Sequence, residues 1–358
     1  MTDKHGGQTM AQKKTDNSSY DALRASLDSG TPARLYLFYG EEHYLMNAAL
    51  SRLRSLLVAD GFADFNYRRF EGKNLSVRDL ADAVDALPVF AERTLVEVHD
   101  FEMFRCPEDV RRDLISLFTD LPEYVCLVFV FDTLEFAPDK RLKDTKELLK
   151  NAEPVEFCLQ EQSRLVKWIR AHFASEGKRI DSPTAEYLSF VTGGLMSSLS
   201  NEITKISSYC TADTVSRSDI DAVVTPVIDA AAFRLSNALA DSKYDEAVRI
   251  LDDLLRMREP AHRILFFVSM TMRQLLAARF CIENDKKASY LMTMCGIRHD
   301  FQARNLMASA TRISTAQCRD AVILCSDAAI AMNSGGDPEQ ILTELIASLA
   351  FRKKASAS

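Results

Sequence analysis

The spacing of hydrophobic and polar residues changes character near residue 160 of this chain. Before that point, short apolar runs alternate with segments whose apolar residues recur every three or four positions, as strands alternating with helices do. Val125–Phe131 is apolar at every position, which is typical of a central strand covered on both faces of a parallel sheet. The pattern therefore predicts an α/β domain over residues 20–160.

Within this domain each strand is followed by a helix. The predicted strands are Leu35–Tyr39, Phe65–Glu71, Thr94–Val98, Val125–Phe131 and Val155–Cys158. The predicted helices are Tyr20–Leu27, a helix carrying Leu45, Ala49, Leu53, Leu56 and Leu57, Ser76–Ala86, Pro107–Leu117 and Asp139–Lys150. Ser76 is suited to cap the third of these helices, and Pro88 is suited to end it.

Beyond residue 160 only helical patterns follow. They predict a small helical domain over residues 161–225 and a longer helical domain over residues 226–352, with Thr225-Pro226 between them. The predicted helices are Gln162–Ser175, Ser182–Phe190, Met196–Cys210, Ser218–Val224, Asp229–Ala240, Tyr244–Arg256, Pro260–Asn284, Asp300–Ala310, Thr315–Met332 and Pro338–Ala350. Residues 1–19 are polar throughout and predict a disordered tail.

Composition narrows the partners that the chain can have. Its formal net charge of −7 gives no overall attraction to nucleic acid, so DNA contacts must come from a local basic patch or from partner chains. The eight cysteines form no CxxC pair, which disfavours zinc, and four of them lie within apolar or helical patterns, which indicates a reducing cytosol. We find no signal peptide and no apolar run approaching the roughly 20 residues of a membrane span, so we expect a cytoplasmic protein with no membrane contact.

The segment Arg34–Asn47 reads as strand, turn and helix, where a phosphate-binding loop would lie. Such a loop needs glycines whose backbone N–H groups cradle phosphates, together with a lysine and a Ser or Thr. Here Gly40 is the sole glycine, no lysine follows it, and Glu41 and Glu42 would repel a triphosphate. The sequence predicts a degenerate loop that binds no nucleotide cofactor.

A search for catalytic or metal-binding motifs finds none. No histidine has ligand spacing, and no G-x-S-x-G or G-x-G-x-x-G motif occurs. Asp100 and Asp132 end two predicted strands, where an NTPase holds Mg²⁺, but neither is followed by glutamate. We therefore favour turn-capping roles for both aspartates over metal binding, and we expect no catalytic residue, metal or cofactor.

Two surface segments leave alternatives open. The basic run Lys140, Arg141, Lys143, Lys146 and Lys150 is interleaved with acids, so a solvated helix face is favoured over a nucleic-acid or partner patch. The segment Leu87, Pro88, Val89 and Phe90 joins a helix to a strand. Phe90 either packs inward beneath this loop or is an exposed anchor for a partner pocket.

Several segments, taken in order, resemble the delta subunit family of the bacterial DNA polymerase III clamp loader, from about Tyr20 to Leu349. They are YLFYGEEHYL (36–45), LPVFAERTLVEV (87–98), DKRLK (139–143), LVKWIRAHFASEGKRI (165–180), EITKISSY (202–209) and the long helical stretch 233–276. The resemblance implies a degenerate RecA-like AAA+ domain without ATPase competence, a small helical lid and a helical collar.

The resemblance also implies a mechanical function. A delta subunit binds and opens the sliding clamp, the beta subunit, while tau/gamma and delta-prime subunits complete the loader and primed DNA receives the clamp. The clamp-contacting pair falls on Val89 and Phe90, within Leu87–Phe90. No activity is expected of the isolated chain, which is a nucleotidyltransferase only by membership of the DNA-directed DNA polymerase holoenzyme.

Two other interpretations compete with this one. An active AAA+ ATPase or helicase loader would have to bind nucleotide without the phosphate lysine. A helical scaffold protein unrelated to replication would not associate with a clamp.

Overall fold

A computed structural model describes residues 16–58, 61–241, 243–297 and 299–355. The chain divides after Glu161 into two compact units. The first unit is an α/β domain, and the second contains helices throughout the part that the structure describes. This is the fold class that the sequence predicts, a parallel α/β domain followed by all-α structure. The division of the second unit near residue 225 stays a prediction.

The first unit is built on a parallel sheet of five strands in the order β2-β3-β4-β1-β5. The strands are β1 (Leu35–Gly40), β2 (Tyr67–Glu71), β3 (Thr94–His99), β4 (Val125–Val130) and β5 (Glu153–Phe157). Every residue of β3 and β4 is buried, which agrees with the uninterrupted apolar run of β4. Because all strands are parallel, the loops after β1, β3 and β4 meet at one edge of the sheet.

Helices cover the sheet and separate its strands along the chain. They are α1 (Ser18–Asp28), α2 (His43–Leu57), α3 (Ala63–Asn66), α4 (Val77–Val84), α5 (Glu108–Thr119) and α6 (Lys143–Lys150). A single core unites the sheet with α4, α5 and α6, and Leu80, Leu114, Leu127, Phe129 and Leu148 lie at its centre. The side chain of Ser76 caps α4 by accepting the Asp79 N–H, as predicted.

The second unit contains eleven helices in the described residues. They are α7 (Gln162–Ser175), α8 (Ser182–Thr192), α9 (Met196–Tyr209), α10 (Arg217–Val223), α11 (Ile228–Ala240), α12 (Tyr244–Arg256), α13 (Ala261–Glu283), α14 (Ala288–Cys295), α15 (Asp300–Ala310), α16 (Thr315–Asn333) and α17 (Pro338–Ala355). Phe190 of α8 packs edge-on against Phe233 of α11 and Phe301 of α15. These three rings join helices that the sequence assigns to two different domains.

Some predicted boundaries are wrong. Phe65 and Asn66 belong to the short helix α3, because the chain makes one helical turn before β2 starts at Tyr67. The basic helix begins at Lys143 and not at Asp139, because the Arg141 guanidinium folds back onto the Asp139 carboxylate at 2.9 and 3.0 Å. The sequence also missed α14 altogether.

Helix α8 begins at Ser182, as predicted, and Asp181 caps it by accepting the Thr184 N–H. One correction concerns the start of α1: Ser18 and Ser19 lie in this helix, and Ser19 accepts the Glu156 N–H, so these residues do not belong to the predicted tail. Residues 1–15 of that tail lie outside the described residues.

Helix α13 alone, among the described residues, is long and apolar enough to cross a membrane by length and composition. This departs from the expectation that no apolar run approaches that length. Such a property is weak support for a membrane span, since the core helix of a helical domain shares it. Here Ile264, Val268 and Met272 of α13 pack into the core of the second unit.

Candidate functional site

Gly40 ends β1 and lies beside Phe157 of β5. Its φ is +129°, and a Cβ added there would lie 2.4 Å from the Phe157 carbonyl oxygen. The next turn is also tied to β5, because the Glu42 N–H donates to the same oxygen at 2.9 Å. Glycine at this position therefore allows the close approach of β1 and β5. In a phosphate-binding loop, by contrast, glycine would allow the backbone to approach a ligand.

The two glutamates that follow Gly40 have different environments. Glu41 is exposed, whereas Glu42 is fully buried at the N-cap position of α2. The N-terminus of a helix attracts negative charge and is where NTPases hold phosphate. In this chain the residue at that helix end is a buried glutamate, whose side chain makes no capping hydrogen bond.

Aromatic rings pack against the end of β1. The Tyr39 ring stacks on Phe136 with centroids 3.9 Å apart, and Phe136 also contacts Phe104 and Phe131 at 5.4 and 5.1 Å. Phe136 lies in the segment between β4 and α6. This segment therefore places apolar rings beside the turn where a nucleotide-binding protein would present phosphate ligands.

Asp100 and Asp132 have partners within the protein. Asp100 has a φ of +54°, and its Oδ1 accepts the N–H groups of Asp132, Thr133 and Leu134 at 2.9 to 3.0 Å. Partial burial tends to raise the pKa of Asp100, but the hydrogen bond from the Thr133 hydroxyl, together with these backbone bonds, outweighs it and lowers the pKa. Asp100 therefore caps the turn after β4, as predicted.

Asp132 instead pairs with two histidines. His99 Nδ1 lies 2.7 Å from Asp132 Oδ2, and His43 Nδ1 lies 3.7 Å from Oδ1. The predicted turn-capping role of Asp132 is therefore replaced by an ion pair. Among the described residues, no group of three or more histidine, cysteine or acidic side chains is placed to hold a metal ion.

A buried ionic network continues from His99 into the sheet. Glu97 on β3 is fully buried, and its carboxylate accepts hydrogen bonds from Arg54 and from the Tyr67 hydroxyl at 3.0 Å. His99 Nε2 lies 3.6 Å from Glu97 Oε2. Sequence analysis missed this network, although a glutamate within the apolar strand TLVEV is a signal that a buried charge needs partners.

The network shifts the pKa values of its members. Burial alone would raise the pKa of Glu97, but His99, Arg54 and Tyr67 together lower it. Glu97 raises the pKa of His99, burial opposes this, and Asp132 adds to the rise. Glu97 is therefore held as a carboxylate, and His99 is held as an imidazolium to higher pH than usual.

The loop after α4 exposes the apolar residues that the sequence singled out. Helix α4 ends at Val84, and Leu87 and Phe90 are 72% and 84% exposed, while Pro88 and Val89 are half-buried. Of the two alternatives for Phe90, the structure therefore shows the exposed one. Such exposure of a large apolar side chain on a connecting loop is typical of a binding surface.

This loop is held in place from α3. The buried side chain of Asn66 bonds both backbone groups of Val89, and the Phe90 ring contacts Phe62 with centroids 5.2 Å apart. Phe90 has a φ of +52°, a conformation that non-glycine residues rarely adopt. Sequence analysis missed Asn66 and Phe62, because the strand predicted to start at Phe65 hid the turn that carries them.

The basic segment is exposed and partly neutralised. Arg141 pairs with Asp139, and Arg111 of α5 lies 3.7 Å from Asp144 of α6. Lys143, Lys146 and Lys150 are exposed. This arrangement fits the solvated helix face that the sequence favoured.

Comparison with known proteins places the chain among replication proteins. The model of the family "DNA polymerase III, delta subunit" matches residues 36–158, and the model of its C-terminal domain matches residues 229–349. DNA polymerase III subunit delta of Bacillus subtilis is 24% identical over 326 residues, which cover 89% of this chain and 93% of that protein.

Two solved structures also show similarity to this chain, each with a TM-score below 0.5. The Bacillus subtilis DNA clamp loader delta protein has 23% identity and a TM-score of 0.48, over 93% of this chain and 99% of that one. The Thermotoga maritima RuvB Holliday junction branch migration motor has 14% identity and a TM-score of 0.41, over 64% of this chain and 76% of that one.

Proposed function

This chain belongs to the DNA polymerase III delta subunit family, and we propose on that premise that it binds and opens the sliding clamp without hydrolysing ATP. It is a clamp-loader subunit that acts in DNA replication. Its task in this proposal is mechanical, because the loop at Leu87–Phe90 contacts the clamp while other subunits bind and hydrolyse ATP.

The observation that carries the proposal is the exposure of Phe90 on a loop that hydrogen bonds hold in one conformation. Burying a phenylalanine side chain in a partner pocket contributes roughly 1.5–3 kcal/mol. A loop that is ordered before binding loses little conformational entropy in the complex, so more of this energy appears as affinity. Leu87 and the half-buried Val89 enlarge the apolar surface beside Phe90.

The edge of the sheet after β1 supports the second part of the proposal. The phosphate lysine is missing, the buried Glu42 lies at the N-terminus of α2, and Phe136 stacks on Tyr39. Asp100 and Asp132, the two candidates for holding Mg²⁺, are bonded to backbone N–H groups and to His99. These features support a chain that binds no nucleotide, and they disfavour an active ATPase or helicase loader.

The partners follow from the same premise. We propose that the second unit assembles with tau/gamma and delta-prime subunits, and that primed DNA is contacted through this assembly in the cytoplasm. Large apolar side chains that the second unit leaves exposed support such contacts, and they include Phe266, Ile323 and Ile330. Nucleotidyl transfer belongs to the holoenzyme, and the isolated chain carries no activity of its own.

The test is binding of the purified chain to an immobilised sliding clamp. Wild type is expected to bind, Phe90→Ala to bind at least about tenfold more weakly, and Phe280→Ala to bind as wild type does. Phe280 is a matched control because it is a half-exposed phenylalanine of the second unit. Wild-type affinity in Phe90→Ala would refute the assignment of the loop.

Two further measurements test whether the chain opens the clamp and whether it binds nucleotide. The chain is expected to speed release of clamps from nicked circular DNA, and ATP is expected to leave its clamp affinity unchanged. Saturable binding of a fluorescent ATP analogue would instead support the ATPase alternative. A chain that binds no clamp and co-purifies with no clamp-loader subunit would support the scaffold alternative.

A further inference from the structure

We infer that Phe65, supported by Phe62, is a second apolar anchor for the sliding clamp, presented from α3 beside the loop of Leu87–Phe90. This inference rests on the proposed function, because it takes the clamp as the partner. The two anchors come from segments more than 20 residues apart in sequence, and the fold brings them to one surface.

The contacts of α3 place Phe65 next to Phe90. Phe62 and Phe65 are three residues apart on one helical turn, closed by the bond from the Phe65 N–H to the Phe62 carbonyl at 3.1 Å, so their side chains are neighbours. The Phe62 ring contacts Phe90. Asn66, the next residue, is bonded to Val89. Phe65 thus extends the apolar surface that Leu87 and Phe90 begin.

Phe65 is 56% exposed, which is a large fraction for a phenylalanine side chain. Phe62 is half-buried, its ring contacts Phe90, and it lies three residues before Phe65 on the same turn. We infer from this placement that Phe65, Leu87 and Phe90 form one contiguous apolar patch, whereas isolated exposed apolar residues on a surface need no explanation. A contiguous patch of this kind marks a protein-binding surface.

Charges around the patch favour a protein partner over nucleic acid. Three acids, Asp64, Asp85 and Glu92, are exposed within two residues of patch members in sequence. Against these stands one exposed arginine, Arg68, which follows Phe65 by three residues and donates to the Asp64 carbonyl. Carboxylates repel phosphates, so this surface disfavours DNA, while a polar rim around an apolar centre is the usual composition of a protein interface. We therefore assign the patch to a clamp surface with an apolar depression long enough for two aromatic side chains.

The experiment measures clamp affinity for five purified full-length chains: wild type, Phe90→Ala, Phe65→Ala, Phe65→Leu and the control Phe280→Ala. Phe65→Ala is expected to weaken binding by about fivefold to twentyfold, and Phe65→Leu to recover most of that loss because it keeps an apolar side chain. Urea unfolding of the same chains shows whether they are folded. Because Phe65 is more than half exposed, we expect its replacement to change the unfolding midpoint little.

Failure of this inference can be told apart from failure of the proposed function. If Phe90→Ala binds weakly while Phe65→Ala binds within twofold of wild type, the second anchor is wrong and the proposed function stands. If wild type binds no clamp, the proposed function itself is overturned; if Phe90→Ala binds like wild type, the assignment of the loop is refuted and the second anchor with it. Loss of binding in both variants with rescue by Phe65→Leu supports both proposals.

Discussion

The side-chain amide of Asn66 bonds both backbone groups of Val89. Its Oδ1 accepts the Val89 N–H at 2.8 Å, and its Nδ2 donates to the Val89 carbonyl at 2.7 Å. Asn66 is buried, so these two bonds form in a partly dehydrated site where unmade hydrogen bonds are costly. A loop that projects an exposed phenylalanine is thereby attached to the sheet domain.

Replacing Asn66 with alanine is expected to weaken clamp binding without removing any exposed side chain. The Val89 N–H and carbonyl would lose their partners, which costs about 1–3 kcal/mol of stability. The freed loop would sample other conformations, and binding would then have to order it again. We expect clamp affinity, measured on an immobilised clamp, to fall by about threefold to tenfold. Urea unfolding of the same variant measures the loss of stability.

The matched control is Asn151→Ala, since the amide of this exposed asparagine makes a single long bond of 3.4 Å to Thr119. Asn151→Ala should change neither the clamp affinity nor the free energy of unfolding in urea. Equal clamp affinity in Asn66→Ala and wild type would show that the two bonds between Asn66 and Val89 do not position Phe90 for binding.

Glycine and alanine at position 90 are expected to differ in stability but not in clamp binding. Phe90 has a φ of +52°, a conformation that costs a non-glycine residue about 1–2 kcal/mol and that glycine adopts freely. Phe90→Gly should therefore be about 1 kcal/mol more stable than Phe90→Ala, while both lose the aromatic anchor. Unfolding and clamp affinity measured together check this, and a Gly variant less stable than the Ala variant would contradict the strained loop.

Alanine at Gly40 is expected to destabilise the first unit strongly. The new Cβ would lie 2.4 Å from the Phe157 carbonyl oxygen, so β1 and β5 would have to move apart. We expect a loss of about 3 kcal/mol or more. Gly30→Ala is the matched control, because Gly30 also has a positive φ, of +75°, but has nothing within 4 Å of an added Cβ, so it should lose only about 1–2 kcal/mol. Equal losses of stability in the two variants would show that the contact between β1 and β5 is not what requires glycine at position 40.

Stability is expected to fall as the pH rises above the ordinary pKa of histidine. The pKa of His99 in the folded chain is raised from 6.5, chiefly by Glu97. Its contribution to stability is therefore complete below pH 6.5 and is lost as the pH rises through the raised value. The pKa of Glu97 is lowered from 4.5, so its contribution is complete above pH 4.5 and is lost as the pH falls through the lowered value.

The measurement is the free energy of unfolding in urea from pH 5 to pH 9. His99→Gln should remove part of the fall on the alkaline side, whereas His262→Gln, at an exposed histidine of the second unit, should leave the profile unchanged. An alkaline fall of the same size in wild type and His99→Gln would refute the role of this histidine.

Much of the fold follows from the spacing of apolar residues. The predicted helices Gln162–Ser175, Tyr244–Arg256 and Asp300–Ala310 have the observed bounds, because their apolar residues recur with helical period between clear end signals. The sheet strands are found within one or two residues of their predicted bounds. Errors occur where a local contact overrides the pattern, as at Phe65, where one turn of helix replaces the start of a strand.

By itself, the sequence determined the α/β and all-α division, the absent phosphate lysine and the family. These properties depend on residue type and on spacing along the chain, which a linear pattern contains. The tertiary structure alone decided that Phe90 points to solvent, that Phe62 and Asn66 support its loop, and that Glu97 is paired. Each of these contacts joins residues between 23 and 43 positions apart or depends on burial, and folding in three dimensions creates both.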